Sequence, residues 1–214
     1  MLNTHPCTEF AHLPGRLHAP ARHVVADSAH FRLKVLSPDH PQREGLQGFI
    51  SEHFCLHYGA RVSHFGQNLL GCRNSQGQWS AALGFTDAAA RPLFLEQYLD
   101  MPIEQAIAMH TGHVVPRSQI VEVGNLAARH AGSARLLIAH ATRHLHEQGY
   151  RWVCFTATAS LLNSFVRLNL HPTVVAQADP SKLADGGQNW GRYYDTQPQV
   201  MIGHIASGHA RLER

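Results

Sequence analysis

The chain has 214 residues, of which 44% are hydrophobic and only 15% are charged. This length and composition allow the core of one substantial domain, and they exclude a disordered chain, a coiled coil and a collagen-like repeat. The formal net charge of +3 is too small to indicate a nucleic-acid-binding protein, so no nucleic-acid partner is expected.

The beginning of the chain differs from the rest in its pattern. Residues 1–30 mix Pro, Gly, His and Ala without periodicity, which predicts a loosely ordered lead-in. They show no basic start followed by an apolar stretch, so we expect no secretory signal and a cytoplasmic protein. No run of about 18 apolar residues occurs anywhere, so no transmembrane segment is predicted.

From residue 31 onward, hydrophobic periodicity predicts regular elements. Those of the first half are a strand over 31–36, a helix over 41–58, strands over 65–72 and 79–86 joined by a turn at 74–77, and helices over 92–99 and 102–110. Those of the second half are strands over 119–126, 152–156, 173–176 and 200–205 and helices over 134–148 and 160–169. This alternation predicts an α/β domain around one mixed sheet over residues 31–206, followed by a tail over 207–214.

The segment 120–150 carries the most specific signal. A strand leads through the loop 128–133 into a helix, and the unpaired amides of a first helical turn attract phosphate. Gly132 allows close approach of the backbone, Ser133 offers a hydroxyl, and Arg129 and Arg135 flank the loop. These are the components of a diphosphate site. The segment matches neither the dinucleotide-binding nor the P-loop fingerprint.

The stretch Arg129-His130-Ala131-Gly132-Ser133-Ala134 resembles the Q/R-x-x-G-x-G/A signature of GNAT-type acyltransferases. The resemblance implies a GNAT-like fold with a mostly antiparallel, twisted sheet whose strands separate around an acyl-donor cleft. It also implies that the amides of residues 129–135 hold the donor. The donor is then an acyl-CoA or an acyl-carrier-protein thioester used as a co-substrate, and no permanently bound cofactor is expected.

The preceding strand narrows the resemblance. Residues 121–127 look like the E-x-S-R-[FL]-A stretch of acyl-homoserine-lactone synthases and of the related N-acyl amino acid synthases. Glu122 and Leu126 fit this pattern. Asn125 stands where those enzymes carry Arg and Gly124 where they carry Ser, so the resemblance does not carry over the acceptor chemistry of those enzymes.

Four segments together are similar to the thermostable hemolysin family, and the similarity extends over about residues 30–205. The segments are 93–104, 120–127, 155–158 and 190–195. The family name comes from a blood-cell lysis phenotype. The sequence contains no amphipathic hairpin repeat of membrane length and no strongly amphipathic basic helix, so nothing in it resembles a pore former.

Glu122 is the candidate general base, because a carboxylate can take the proton of an amine that attacks a thioester. The alternative is a strand glutamate in a salt bridge or facing solvent. The candidates for binding the acceptor are Arg117, Glu96, Asn125 and Tyr193. Arg117 and Glu96 could equally form an ion pair, and Asn125 could simply close the strand.

The pattern of GNAT-type acyltransferases also includes a general acid. Many GNAT members carry a Tyr on the helix after the next strand, and Phe165 occupies that position here, so the hydroxyl is missing. Tyr193 or Tyr194 is a candidate substitute. Without one, the thiolate must leave unaided, which a thiol pKa near ~8.5 permits.

These interpretations predict an N-acyltransferase that moves an acyl group from CoA or acyl carrier protein to a small amine, acting as a monomer or homodimer. Two alternatives remain open at this point. One is a membrane-acting lytic protein, as the family name suggests, and the other is a non-catalytic module that binds acyl-CoA or carrier protein.

The 18 histidines raise the question of a metal. His53 and His57, and likewise His140 and His144, are spaced to share one helix face. Neither pair has the H-E-x-x-H order, and no Cys or carboxylate stands at ligand spacing to complete a site. We therefore predict no metal site.

Overall fold

A computed structural model describes residues 32–213. The seven strands within these residues are β1 (Arg32–Leu36), β2 (Asn68–Arg73), β3 (Trp79–Asp87), β4 (Ile120–Ala128), β5 (Trp152–Ala157), β6 (Thr173–Gln177) and β7 (Gln199–His204). The five α-helices of this part of the chain are α1 (Arg43–Tyr58), α2 (Ile103–Thr111), α3 (Ala131–Glu147), α4 (Ala159–Arg167) and α5 (Ile205–Leu212). Each predicted strand and long helix is present, with shifts of a few residues at its ends.

All seven strands form one sheet in the order β1-β2-β3-β4-β5-β7-β6. Every neighbouring pair is antiparallel except β4 and β5, which run parallel because α3 carries the chain back between them. The predicted α/β class with a mixed, mostly antiparallel sheet is confirmed.

Helices cover both faces of the sheet. Because side chains alternate along a strand, each strand contributes to the packing on both faces. Leu69 packs toward α1 while its neighbour Leu70 packs toward α3. In the same way Ile120 belongs to the α2 side and Val121 to the α3 side. The central strands therefore read as continuous apolar runs, as expected for strands buried on both faces.

Two sequence predictions differ from the structure. The predicted helix over 92–99 is a 3₁₀ helix of only five residues, Phe94–Tyr98. The predicted tail over 207–214 is helical as far as Leu212, because Ile205 is buried and anchors α5 against the sheet and α3. The domain bounds 31–206 themselves stay a prediction. The predicted lead-in over 1–30 lies outside the described residues.

Candidate active site

The parallel strands β4 and β5 separate before they end. They pair only over Ile120–Val123 and Trp152–Phe155, and β5 then continues alongside β7 alone. A cavity of about 450 Å³ lies where they part and passes through the gap, so that residues from both faces of the sheet line it. The strands thus separate around a cavity, as the GNAT resemblance implied for the fold.

One half of this cavity, which we call the aromatic half, faces α1 and the 3₁₀ helix. Its rings belong to Phe54, Tyr58, Phe94, Tyr98, Trp190 and Tyr193. The other half, which we call the helical half, lies under α3 and α4. Its apolar lining includes Ile138, Ala141, Leu145, Phe155, Leu161 and Phe165.

Glu122 lies between the two halves and points toward the aromatic half. Its Oε2 accepts a hydrogen bond of 2.8 Å from the Phe94 amide, and its Oε1 accepts one of 2.9 Å from the Leu95 amide. The carboxylate thereby fixes the start of the 3₁₀ helix. It also lines the cavity, so both the structural and the chemical interpretations of this residue have a geometric basis.

Burial raises the pKa of the Glu122 carboxyl to about 7. The two amide hydrogen bonds oppose this rise because they favour the charged form, and the nearby Glu96 carboxylate adds to it. A group with this pKa exchanges its proton readily near neutral pH, which suits a general base.

Asn125 holds β4 in an irregular conformation at the mouth of the gap. Between Gly124 and Ala127, β4 has one residue more than β3, which makes a β-bulge. Asn125 has φ of 55°, a left-handed value that asparagine tolerates better than most residues. Its Oδ1 accepts from the Gly66 amide at 3.1 Å, and its Nδ2 donates to the His64 carbonyl at 3.0 Å. Asn125 lines the cavity, but its amide is already engaged.

The bulge requires two glycines in close approach. A Cβ on Gly66 would lie 2.5 Å from the Phe85 backbone nitrogen, and one on Gly84 would lie 2.8 Å from Asn125 Oδ1. The segment that carries Gly66 can therefore pass directly over β3 only without a side chain at these positions. This close contact brings the His64 carbonyl and the Gly66 amide within reach of Asn125.

Arg117 and Glu96 form an ion pair outside the cavity. Arg117 donates to Glu96 Oε1 at 2.6 Å, to Glu104 Oε2 at 2.6 Å and to the Ala88 carbonyl at 2.8 Å. Glu96 also accepts from the Leu93 and Ile103 amides. These residues line a separate shallow depression, and their hydrogen bonds stabilise the 3₁₀ helix from outside the cavity.

The start of α3 is capped by a histidine. Helix α3 begins at Ala131, three residues earlier than predicted, so Gly132 and Ser133 belong to its first turn. His130 Nδ1 accepts from the Ser133 amide at 3.0 Å, and the Ser133 hydroxyl donates to the His130 carbonyl at 2.9 Å. A Cβ on Gly132 would lie only 3.1 Å from His130 Nδ1, so this glycine makes room for the capping ring.

The other predicted donor-binding residues surround this helix start. Arg129 is exposed, donates to the Trp79 carbonyl at 2.8 Å and lies over the Phe49 ring. Ala134 makes the first regular helical bond, to the His130 carbonyl, whereas Ala131 and Gly132 precede it in the turn. Arg135 follows on the partly exposed side of the helix.

Replacing the capping ring should weaken α3. We expect His130→Ala to lower the free energy of unfolding by about 1 kcal/mol, because the Ser133 amide loses its acceptor. Urea denaturation followed by circular dichroism measures this change. His130→Asn is the matched control, since asparagine also caps helices and should retain the wild-type value. An alanine variant as stable as the wild type would contradict the capping role.

The three aromatic positions considered from the sequence have different locations. Phe165 lines the helical half and packs on Phe155 with 5.0 Å between ring centroids. Tyr193 is a lining residue, and burial raises its pKa, so its hydroxyl stays protonated near neutral pH. Tyr194 instead shares a 2.6 Å hydrogen bond with the Tyr98 hydroxyl.

The histidine pairs do not extend into larger clusters. His53 and His57 stack with 4.0 Å between ring centroids on α1. Among residues 32–213, no group of three or more His, Cys, Asp or Glu side chains is placed to hold a metal ion. Within the same range, no helix is both long and apolar enough to span a bilayer.

The profile of the thermostable hemolysin family matches residues 36–209, most of the chain. The chain belongs to the thermostable hemolysin family. This match confirms the resemblance drawn from the sequence segments. No curated protein sequence matches this family member.

Solved structures similar to this hemolysin-family protein share its fold at low sequence identity. TofI in an apo form has a TM-score of 0.58 at 16% identity, covering 85% of this chain and 96% of that one. FeeM, an N-acyl amino acid synthase from uncultured soil microbes, has a TM-score of 0.57 at 14% identity, covering 85% of this chain and 94% of that one. BjaI, a CoA-dependent acyl-homoserine lactone synthase solved with SAM and isopentyl-CoA, has a TM-score of 0.54 at 14% identity, covering 86% of this chain and 90% of that one. The predicted GNAT-like architecture is confirmed by this shared fold.

Proposed function

We propose that this protein transfers an acyl group from a CoA or carrier-protein thioester to a small amine, with Glu122 as the general base. The observation that carries the proposal is the position of Glu122. A carboxyl group with a pKa of about 7 lines a cavity at the point where β4 and β5 separate. The fold shared with acyl-transferring synthases supports it.

The donor is proposed to approach from the start of α3. The Ala131 and Gly132 amides lie in the first turn, where the positive end of the helix dipole favours a phosphate, and Arg129 and Arg135 add positive charge. The acyl chain then occupies the apolar helical half. At the bulge, the backbone of Asn125 and Leu126 leaves the regular ladder, so an N–H group there can donate to the thioester carbonyl.

The proposed transfer step balances as follows. An ammonium acceptor gives one proton to the Glu122 carboxylate, and its neutral nitrogen attacks the thioester carbonyl carbon. A C–N bond forms, the C–S bond breaks, and the departing thiolate takes the second nitrogen proton. The products are an amide and a free thiol, and Glu122 returns its proton to solvent. Phe165 offers no hydroxyl, and in this step the second nitrogen proton serves in place of a tyrosine acid.

Thiol release tests the proposal directly. The purified full chain is incubated with short- and long-chain acyl-CoA and acyl-carrier-protein thioesters and a panel of primary amines, and free thiol and amide product are both measured. Amine-dependent release of thiol with matching amide formation supports the proposal. Tight binding of thioesters without any amide would instead favour the non-catalytic binding module.

The pH profile gives a second expected result. Because the base must be deprotonated, kcat/KM should fall about tenfold per pH unit below pH 7, where the raised pKa of Glu122 lies. Between about pH 7 and the amine pKa near 10, the rate should be nearly level. An acidic limb near pH 4.5 would indicate a carboxyl of ordinary pKa and remove Glu122 as the titrating group.

A further inference from the structure

The aromatic half is built from three separate parts of the chain that the fold brings together. Trp190 lies at its centre, with ring centroids 6.3 Å from Phe54, 5.8 Å from Phe94 and 5.3 Å from Tyr193. The contact of Trp190 with Phe54 is edge-to-face at 74°, and so is the contact between Tyr58 and Tyr193 at 83°. All of these rings line the cavity on the side to which Glu122 points.

The charges in this half are one-sided. Among the lining residues that the structure describes, Glu122 is the only carboxylate, and the one arginine, Arg211, lies on α5 and donates to the Asn169 carbonyl, so no lining cation belongs to the elements that form the aromatic half. His64 is the nearest lining imidazole, and burial together with Arg91 lowers its pKa, so it is uncharged near pH 7. Arg91 and Arg117 line the separate depression instead.

Three nitrogen donors beside Glu122 are already engaged. The Asn125 side chain donates to the His64 carbonyl, and the Phe94 and Leu95 amides donate to Glu122. A carboxylate on the carbon next to the reacting amine would therefore lie beside the Glu122 carboxylate without a compensating cation. Burying that carboxylate there is unfavourable, because it loses its hydration and because it lies beside a like charge.

We propose that the acceptor is a primary arylalkylamine that carries no carboxylate beside its amine. This inference rests on the proposed acyl transfer and names the substrate class of that site. The rings around Trp190 offer flat faces and edges to an aromatic ring. The same rings and the Glu122 carboxylate attract the ammonium group that enters.

Matched ligand pairs test the inference. For the full-length protein, both kcat/KM with an acyl-CoA donor and the dissociation constant by calorimetry are measured for 2-phenylethylamine, L-phenylalanine and 2-cyclohexylethylamine. We expect 2-phenylethylamine to exceed L-phenylalanine by at least about tenfold, and 2-cyclohexylethylamine by a smaller factor. Equal or better use of L-phenylalanine would overturn the inference, and so would equal use of the cyclohexyl compound.

Variants locate the effect in the aromatic half. Trp190→Leu, and separately Phe94→Leu, should weaken binding of 2-phenylethylamine about tenfold. Trp79→Leu is the matched control, since Trp79 lies outside the cavity beneath Arg73. Equal weakening in Trp79→Leu, or none in the other two variants, would overturn the assignment.

The two proposals fail in different ways. If thiol release occurs with amino acids but not with 2-phenylethylamine, acyl transfer stands and the arylalkylamine assignment is wrong. If no amine supports thiol release, the proposed acyl transfer is wrong. In that case calorimetry still decides whether the aromatic half selects 2-phenylethylamine over L-phenylalanine.

Discussion

Replacing Glu122 with glutamine is expected to lower kcat at pH 7 by about 10²–10⁴-fold, because an amide cannot take the amine proton. Glutamine can still accept from one of the Phe94 and Leu95 amides, whereas its NH₂ group faces the other. The free energy of unfolding should therefore fall by only about 1–2 kcal/mol, and the fold should persist. Steady-state thiol release and urea denaturation measure the two effects separately.

The pH profile of this variant distinguishes a chemical role from a structural one. Without the base, the rate depends on the free amine alone and should climb about tenfold per pH unit up to the amine pKa. Glu104→Gln is the matched control, since Glu104 bonds Arg117 at 2.6 Å outside the cavity. If Glu122→Gln keeps the level profile of the wild type, Glu122 does not act as the base.

The second large effect is expected at Gly66. In Gly66→Ala the new Cβ would lie 2.5 Å from the Phe85 nitrogen and 2.7 Å from the Gly84 carbonyl carbon, so backbone must move. We expect a loss of about 3 kcal/mol in the free energy of unfolding and a fall of about 6–12 °C in Tm. Displacement of Gly66 also removes the amide bonded to Asn125 Oδ1, so thiol release should fall as well.

Gly48→Ala provides the control for that substitution. Gly48 lies inside α1, and a Cβ there would meet nothing within 4 Å. Alanine is the better helix former, so this variant should gain about 0.5–1 kcal/mol. The same chemical change thus has opposite signs at the two glycines. Equal stability of the two variants in differential scanning calorimetry would show that the contact at Gly66 is not a close one.

The order of strands and helices was predictable because periodicity reflects burial on one or both faces. The start of α3 was not, because its cap is the ring of His130, and histidine is not among the usual capping residues. The sequence therefore suggested a longer loop, whereas the structure places Gly132 in the first turn to accommodate that ring.

The candidate site was predictable only in part, for a related reason. Glu122 and the 129–135 segment lie close together in sequence, so a short resemblance could indicate both. The aromatic half depends on Phe54, Phe94 and Trp190, which meet only after the chain has folded. Asn125 differs from the pattern of the acyl-homoserine-lactone synthases, and its positive φ and its bonds to the 64–66 segment explain why asparagine suits that position.

The short pairing of β4 with β5 divides the sheet into two ribbons, β1–β4 and β5–β7–β6. Only four residue pairs join them along the strands. Each ribbon can therefore open as a unit, and we expect partial unfolding to begin where β4 pairs with β5. A ligand that contacts both ribbons would stabilise the pairing of β4 with β5. Hydrogen exchange of the Val123 and Phe155 amides should therefore slow when a ligand fills the cavity.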